Sequence, residues 1–416
     1  MTLGLARGGT AAPTSDKESP NMTIGIPPEM AEATRLASSG KLAEATALIQ
    51  RLLQGKGAAP QADAGARSGT IIDAEYETVG AQPQPSAPGG DLGARLRAGL
   101  GETLRRLAGE AKIRAPGFGI DIGAGLRPAP EPLPEGATFA SATYANAAGT
   151  RDYKLYIPSN REGHSLPLIV MLHGCTQSPD DFAAGTGMNA LAEELGYLVA
   201  YPAQPASANT QKCWNWFKPE DQRQNQGEPS LIAGITRRIM RDHRVDPARV
   251  YVAGLSAGGA AAAIMGAAYP DLYAAVGVHS GLPAGAASDL PSAFAAMRQG
   301  AEGVGRWGAS IPTIVFHGDQ DATVNPRNGD AVVAAVTASA SGLRSTLKRG
   351  HVAGGHAYSR VVHADGAGRA LCEQWTIHGA GHAWSGGRAS GSCTDPQGPD
   401  ASREMLRFFS EHRLGG

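Results

Sequence analysis

One stretch constrains the fold of this chain more than any other. A short apolar run, Val250–Ala253, leads into Gly254-Leu-Ser-Ala-Gly258, and a run of good helix formers follows. A strand, G-x-S-x-G and a helix in this order are typical of a sharp turn that exposes a serine above a sheet edge. The helix that begins near Ala257 directs free N–H groups towards the same place, which favours negative charge there. The pattern predicts that Ser256 is a nucleophile, and the alternative is a glycine-rich turn with a bystander serine.

The composition excludes several classes of function. Among 416 residues, 37 Lys and Arg stand against 38 Asp and Glu, so no overall field attracts nucleic acid, and we expect no nucleic-acid partner. No run of 18 apolar residues is present, so we expect no transmembrane segment. The first residues show no basic segment followed by a long apolar core, so no secretory signal is predicted.

The first third of the chain differs in composition from the rest. Glycine, proline and small polar residues dominate it, interrupted by two amphipathic stretches. We expect a disordered tail (1–28), a helical hairpin (29–54), a flexible linker (55–90), and an amphipathic helix with a Pro/Gly-rich linker (91–136).

Residues 137–416 are predicted to form a single catalytic domain. Apolar runs such as Leu166–Leu172, typical of strands buried on both faces, alternate with helical segments. This alternation predicts an α/β fold with a mostly parallel, doubly wound sheet. In such sheets, reacting groups gather at the carboxyl ends of the strands.

Two further residues suited to serine chemistry follow predicted strands. Asp319 and Asp321 follow Thr313–Phe316, and we select Asp321 as the acid because it lies farther along the loop, with Asp319 as the alternative. His382 lies beyond Cys372–Ile377 and is the predicted base. The order Ser, Asp, His along the chain is the one expected of an α/β-hydrolase.

The loop after Leu172 is predicted to complete the site. It contains His173-Gly-Cys175, where a sheet of this kind places its second oxyanion donor, so the predicted donors are the N–H groups of Cys175 and Ala257. A disulfide from Cys175 to Cys213 is favoured over a role for Cys175 as a thiol nucleophile. That pairing leaves Cys372 and Cys393 to form a second disulfide.

Several aromatic residues lie on loops near these motifs. Polar neighbours surround the segment Cys213-Trp-Asn-Trp-Phe217, which favours substrate contact over core packing. Trp214, Trp216 and Trp384 are therefore candidate substrate-binding residues.

Five motifs together resemble the polyhydroxybutyrate (PHB) depolymerase family of esterases, over roughly residues 137–412. They are Leu172-His-Gly-Cys-Thr-Gln177, Cys213-Trp-Asn-Trp-Phe217, Gly254-Leu-Ser-Ala-Gly-Gly259, Phe316-His-Gly-Asp-Gln-Asp321 and Gly379-Ala-Gly-His-Ala-Trp384. The resemblance implies an α/β-hydrolase fold, no metal or organic cofactor, and hydrolysis of short-chain polyhydroxyalkanoate esters. Carried over by position, its catalytic triad is Ser256, Asp321 and His382.

Related esterases with similar motifs cleave feruloyl or acetyl groups from plant polysaccharides, so this activity is the alternative. A non-catalytic binding module with the same fold is an alternative of another class. The amphipathic segments of region 29–110 are expected to adsorb to a hydrophobic polymer or granule surface, or to dock on the catalytic domain. The resemblance and the cysteines favour an extracellular or periplasmic location, whereas the missing signal favours the cytoplasm.

Overall fold

The computed structural model describes residues 75–79, 132–159, 163–301 and 311–415. Eleven strands in these ranges form one sheet, in the order β1-β9-β10-β11-β8-β7-β6-β4-β5-β3-β2. They are β1 Glu75–Val79, β2 Thr138–Asn146, β3 Gly149–Ile157, β4 Leu166–Leu172, β5 Leu198–Pro202, β6 Val245–Leu255, β7 Ala275–His279, β8 Thr313–Gly318, β9 Arg344–Val352, β10 Ala357–Ala364 and β11 Ala370–Ile377. The short strands β12 Trp384–Ser385 and β13 Thr394–Asp395 pair with each other.

The centre of the sheet is parallel. Strands β11, β8, β7, β6, β4 and β5 run in the same direction, and antiparallel strands flank them on both sides. Central strands such as β4 are buried on both faces, which explains their continuous apolar sequences. The doubly wound α/β-hydrolase fold predicted from the sequence is confirmed.

Helices cover both faces of the sheet. They are α1 Pro179–Thr186, α2 Met188–Leu195, α3 Gly227–Asp242, α4 Ala257–Ala268, α5 Leu290–Gln299, α6 Arg327–Thr337 and α7 Ala401–Ser410, with a 3-10 turn at Pro219–Gln222. Buried residues of α3, α4, α5 and α6 belong to one apolar cluster, and those of α1, α2 and α7 to the other. Alternate residues of β4 enter the two clusters, Leu168 the first and Ile169 the second, so the sheet separates two cores.

The predicted flexible linker at 55–90 needs a correction. Residues Glu75–Val79 form a strand that pairs in parallel with β9 at the edge of the sheet. The physical reason is that Tyr76, Thr78 and Val79 favour extended backbone, and β9 offers unpaired backbone groups on that side. The predicted tail, hairpin and amphipathic helix at 1–28, 29–54 and 91–131 lie outside the described residues, and the catalytic boundary at 137 stays a prediction.

No helix in the described part of the chain is both long enough and apolar enough to cross a bilayer.

Candidate active site

The turn between β6 and α4 holds Ser256 in a strained backbone conformation. Its φ of 58° and ψ of −120° lie in a region that residues with a side chain rarely adopt. A Cβ on Gly254 would lie 2.2 Å from the Gly258 oxygen, and a Cβ on Gly258 would lie 2.0 Å from the Leu172 oxygen. Only glycine allows the backbone to approach this closely at both positions, so the G-x-S-x-G spacing is a packing requirement of the turn.

The structure joins Asp321 and His382 by a short hydrogen bond. The Nδ1 of His382 lies 2.7 Å from Oδ2 of Asp321, whose side chain is fully buried. The other carboxylate oxygen accepts the N–H groups of Thr323 and Val324 at 2.9 and 2.8 Å. These bonds fix the carboxylate, which in turn orients the imidazole.

Asp321 remains charged although it is buried. Burial alone raises the pKa of its carboxyl. Several interactions outweigh burial and hold this pKa well below its usual range. They are the hydrogen bonds from His317 and His382, the charge of His382 and the hydrogen bond from the Val324 N–H. The Nε2 of His317 lies 3.3 Å from the carboxylate and 2.9 Å from the Val324 oxygen, so it carries the hydrogen. His317 therefore acts as a second donor behind the acid.

Asp319 and His378 form a separate pair. The Nδ1 of His378 lies 2.9 Å from Asp319, and its Nε2 lies 2.8 Å from the Ser359 hydroxyl. Asp319 also accepts the Gly379 N–H at 2.7 Å. Asp319, the alternative acid in the sequence analysis, thus faces a different histidine, and its bonds connect the loop after β8 to the loop after β11. Ser359 lies within β10, away from a strand-to-helix turn and from any helix N-terminus.

Ser256 lies on the same sheet edge as Asp321 and His382, and His279 at the end of β7 connects the two. The His279 oxygen accepts the Ser256 N–H at 2.9 Å, and its ring accepts the Ser385 N–H at 2.9 Å, three residues after His382. Burial first, and then the charges of His317 and His382, lower the pKa of His279 well below its usual value. The described residues show no hydrogen bond between the Ser256 hydroxyl and the His382 ring.

The loop after β4 packs against the serine turn. A Cβ on Gly174 would lie 3.5 Å from the Leu255 oxygen. The N–H of Gly174 donates to the Gln177 side chain at 2.9 Å, and that of Thr176 to the Gln211 oxygen at 2.7 Å. Within the described chain, the N–H groups of Cys175 and Ala257 donate no hydrogen bond. Two backbone donors without a partner therefore lie in the half-buried serine turn and in the loop packed against it.

Burial keeps His173 neutral beneath this loop. Its Nε2 accepts the Gln204 N–H at 3.1 Å, so the hydrogen is on Nδ1, which donates to the Gly174 oxygen at 2.8 Å. Burial lowers the pKa of His173 to about 4, although the bond to Gly174 opposes the shift. The neutral ring therefore fixes the loop backbone rather than reacting.

The cysteines follow the prediction in one pair and contradict it in the other. Cys175 and Cys213 form a disulfide, which excludes Cys175 as a thiol nucleophile. Cys372 and Cys393 are free, so the expected second disulfide is wrong. Cys372 belongs to the apolar cluster on one face of the sheet and Cys393 packs against the cluster on the other, which keeps the two thiols apart.

The structure also corrects the aromatic substrate contacts. Trp214, Trp216 and Trp384 are 0%, 6% and 1% exposed, so they are core residues. The indole of Trp214 donates to the His173 oxygen at 3.1 Å. The indole of Trp384 donates to Ser402 at 3.0 Å and stacks on His279 with ring centroids 4.9 Å apart. Asn215, the polar residue between Trp214 and Trp216, is itself buried and hydrogen bonded, so it did not indicate exposure.

Three buried residues around the site escaped the sequence analysis: Gln177, Glu228 and His279. His279 and Gln177 had a detectable signal, because His279 is the last residue of a buried strand and Gln177 lies in the loop after another. Glu228 had none, because its partners are distant in the sequence. Within the described ranges, no group of three or more His, Cys, Asp or Glu residues could hold a metal ion.

Comparisons with known proteins agree with this architecture. Residues 151–350 match the model of the family described as Esterase PHB depolymerase. Poly(3-hydroxyalkanoate) depolymerase C of Paucimonas lemoignei is 34% identical over 240 residues, covering 55% of this chain and 57% of that protein. Poly(3-hydroxybutyrate) depolymerase of Ralstonia pickettii is 26% identical over 239 residues, covering 53% of this chain and 48% of that protein.

Feruloyl esterase B of Thermothelomyces thermophilus is 29% identical over 192 residues, covering 42% of this chain and 65% of that protein. The chain thus spans about half to two thirds of the length of these relatives. The matched region includes the serine turn, the loop after β4 and the acid loop after β8. Residues 151–350 are thus similar in sequence to the Esterase PHB depolymerase family.

Proposed function

We propose that this chain is a serine carboxylic-ester hydrolase that acts through an acyl-enzyme. The observation that carries the proposal is the 2.7 Å bond between His382 and the buried carboxylate of Asp321, on the same sheet edge as the strained Ser256. A neutral imidazole held in this way has its Nε2 free to accept a proton, which is the requirement for a general base.

In the proposed reaction, His382 removes the hydroxyl proton as Ser256 Oγ attacks the ester carbonyl. Asp321 stabilises the imidazolium that forms. The N–H groups of Cys175 and Ala257 bind the developing oxyanion. The imidazolium protonates the departing alcohol, and water then attacks the acyl-enzyme by the same route. The reaction needs a serine–histidine hydrogen bond, which commonly tightens only when substrate is bound.

The decisive experiment replaces the nucleophile. Ser256→Ala should reduce kcat on p-nitrophenyl butyrate by several orders of magnitude while the melting temperature stays close to that of the parent. A fluorophosphonate probe should label the parent protein at Ser256 and leave the variant unlabelled. Ser359→Ala is the matched control, because Ser359 also faces a histidine that is bonded to an aspartate. A parent that hydrolyses no ester and takes up no probe would instead support a non-catalytic binding module.

We propose a short-chain polyhydroxyalkanoate as the natural substrate class. The similarity to the two depolymerases supports it, since these matches cover more of this chain than the feruloyl esterase does. The second candidate is a feruloyl or acetyl polysaccharide ester, which the match to feruloyl esterase B favours. Initial rates on hydroxybutyrate oligomers, feruloylated xylan and acetylated xylan would separate the two candidates. A kcat/KM at least tenfold higher on either xylan would reject the first.

We further propose that the amphipathic segments at 29–54 and 91–110 adsorb to a hydrophobic polymer surface. Their apolar residues recur at helical spacing. Deleting residues 1–68 removes the first segment and keeps β1, whereas deletion to 110 would remove a strand of the sheet. The shortened chain should sediment less with polymer granules at unchanged kcat on a soluble ester. Equal sedimentation would reject a role for the first segment.

A further inference from the structure

Glu228 is a buried carboxylate surrounded by hydrogen-bond donors. It lies in the first turn of α3 and is 5% exposed. One oxygen accepts from Arg151 Nη2 at 3.2 Å, from Asn215 Nδ2 at 2.7 Å and from the Gln204 side chain. The other oxygen accepts the Asn215 N–H at 2.8 Å. Since every partner is a donor, the site fits a carboxylate and not an amide.

The partners of Glu228 lead to the loop that carries Cys175. The Gln204 side chain also donates to the Cys213 oxygen at 2.9 Å, and its N–H donates to His173 at 3.1 Å. Asn215 lies two residues after Cys213, which is covalently bonded to Cys175. One carboxylate thus fixes the two segments that hold the Cys175 backbone in place.

Stability alone is a poor explanation for this charge. Removing a carboxylate from water costs several kcal/mol, and a buried ion pair is often no more stabilising than apolar side chains of the same volume. Arg151 is the cation bonded to Glu228, at 3.2 Å, and both side chains are almost fully buried. The distinctive contribution of the carboxylate is the conformation that it fixes, because four donors converge on its two oxygens.

We propose that Glu228 is a positioning residue that sets the N–H of Cys175 against the developing oxyanion. This inference rests on the proposed esterase function. This positioning role differs from a general stabilising role. The Cys175 N–H stabilises the transition state, whose oxygen bears negative charge, more than it stabilises the bound substrate. Glu228 does not touch the reacting atoms and acts through Gln204, Asn215 and the disulfide.

The test uses Glu228→Gln in the full-length chain. An amide places N–H groups against donors and leaves Arg151 without its charge partner, so the loop should shift while the fold remains. Loss of one oxyanion donor typically costs on the order of 10²–10³ in rate, so a displaced donor should lower kcat by about 10- to 100-fold. KM should change less than about threefold, because ground-state contacts are kept.

Inhibition by a transition-state mimic is a measurement that a purely structural defect would not change. An alkyl trifluoromethyl ketone adds to the serine and places its oxyanion on the same donors. Its inhibition constant should rise by the same factor as kcat/KM falls. Gln204→Leu, which removes two of the side-chain bonds, should shift both quantities in the same direction. Combined with Glu228→Gln, it should add less than the sum of the two separate effects.

Glu373→Gln is the matched control. Glu373 is 1% exposed and bonded to Arg360 and Arg407 at 2.8 and 2.7 Å, four residues before the end of β11. It should lower the melting temperature, as Glu228→Gln does, without changing the affinity for the ketone. Thiol titration should show the Cys175–Cys213 disulfide intact in both variants.

Three results would overturn the inference. The first is unchanged ketone inhibition in Glu228→Gln. The second is a loss of activity that only follows the unfolded fraction, as in Glu373→Gln. The third applies if Glu228→Gln does not fold: full activity of Gln204→Leu would then overturn the inference. If the parent protein hydrolyses no ester, the proposed function itself fails. That outcome is visible in the parent alone and does not depend on the variants.

Discussion

At the scale of single residues, the structure separates two aspartates that the sequence places two positions apart. Asp321 bonds to His382 at 2.7 Å, and Asp319 bonds to His378 at 2.9 Å. Both are carboxylate–imidazole pairs, but only Asp321 is buried. The proposed function therefore gives the proton-accepting role to His382, whose carboxylate partner is the buried one.

This assignment gives the first prediction. Asp321→Asn should lower kcat on p-nitrophenyl butyrate by about 10⁴-fold, because an amide favours the wrong imidazole tautomer. Asp319→Asn is the matched control. It should lower kcat by less than about tenfold, since an asparagine oxygen still accepts the Gly379 N–H. Steady-state kinetics on both variants provides the test, and a larger loss in Asp319→Asn would exchange the two roles.

At the scale of elements, close backbone contact determines the geometry of the serine turn. A Cβ on Gly258 would lie 2.0 Å from the Leu172 oxygen and 2.6 Å from the His173 oxygen, both on the backbone that leads into the loop carrying Cys175. Neither oxygen can rotate away as a side chain would. The helix that supports Ser256 and the loop after β4 therefore share a single packing arrangement.

The second prediction follows from this contact. Gly258→Ala should lower the free energy of unfolding by about 3 kcal/mol or more, or prevent folding, because strand and helix must separate. Gly366→Ala is the control, because a Cβ at Gly366 meets nothing within 4 Å, and its effect should stay within about 0.5 kcal/mol. Urea unfolding of both variants measures the difference. Equal midpoints would contradict the packing argument.

The third prediction concerns the disulfide that joins the loop after β4 to the segment around Cys213. The bond links residues 38 apart in sequence, and a bond of this kind typically contributes about 2–4 kcal/mol. Replacing both Cys175 and Cys213 by serine should lower the melting temperature and kcat together, because the Cys175 N–H loses its anchor. Cys393→Ser should leave kcat unchanged, because Cys393 is free. An unaltered kcat in the double variant would show that the disulfide does not position the active site.

The sequence was most informative where an element is buried on both faces. The apolar run Leu166–Leu172 predicted β4 with its observed bounds, and the serine turn predicted the β6–α4 connection. Strand β9 was not predicted, because Arg344–Val352 is mostly polar and half exposed and so lacks a continuous apolar pattern. Helix α1, with its short run of small residues, was missed for a similar reason.

Burial of polar groups could not be predicted from local sequence. The tryptophans at 214 and 216 stand among polar residues, which suggested exposure, but Asn215 between them is buried and bonded to the carboxylate of Glu228. Glu228 bonds residues 13, 24 and 77 positions away. Contacts at such separations follow from the tertiary fold, and no local periodicity encodes them.

At the scale of the whole molecule, buried neutral histidines make stability depend on pH. Burial lowers the pKa of His173 and of His412 to about 4, and that of His279 well below its usual value. In the unfolded chain each imidazole takes up a proton near pH 6.5. Between pH 6.5 and 4 the unfolded state therefore binds more protons than the folded state, and stability falls as the pH falls. For the fully buried His173 this amounts to roughly 3 kcal/mol.

Two carboxyls, those of Asp400 and Asp221, oppose this trend, and burial raises the pKa of Asp400 above its usual value. Burial, and then the charge of Glu228, raise the pKa of Asp221 to about 6. Its folded form gains a proton before its unfolded form does, so acidification from pH 6 towards 3.8 favours folding through this group. Asp321 has a pKa below the usual range, so its contribution is lost only below about pH 3.8. Burial also lowers the pKa of His363, so four histidines oppose these two carboxyls and leave a net loss of stability between pH 6.5 and 4.

The fourth prediction tests this balance at His412, which lies outside the active site. Its Nε2 is buried without a hydrogen-bond partner, and its ring lies 4.4 Å from that of Phe408. His412→Leu removes the titrating group and keeps the backbone oxygen that accepts the Tyr251 hydroxyl at 2.9 Å. The melting temperature of the variant should fall less steeply than that of the parent between pH 6.5 and 4, whereas replacing the exposed His164 by glutamine should leave the slope unchanged. Parallel slopes for His412→Leu and the parent would show that protonation of this ring does not drive acid unfolding.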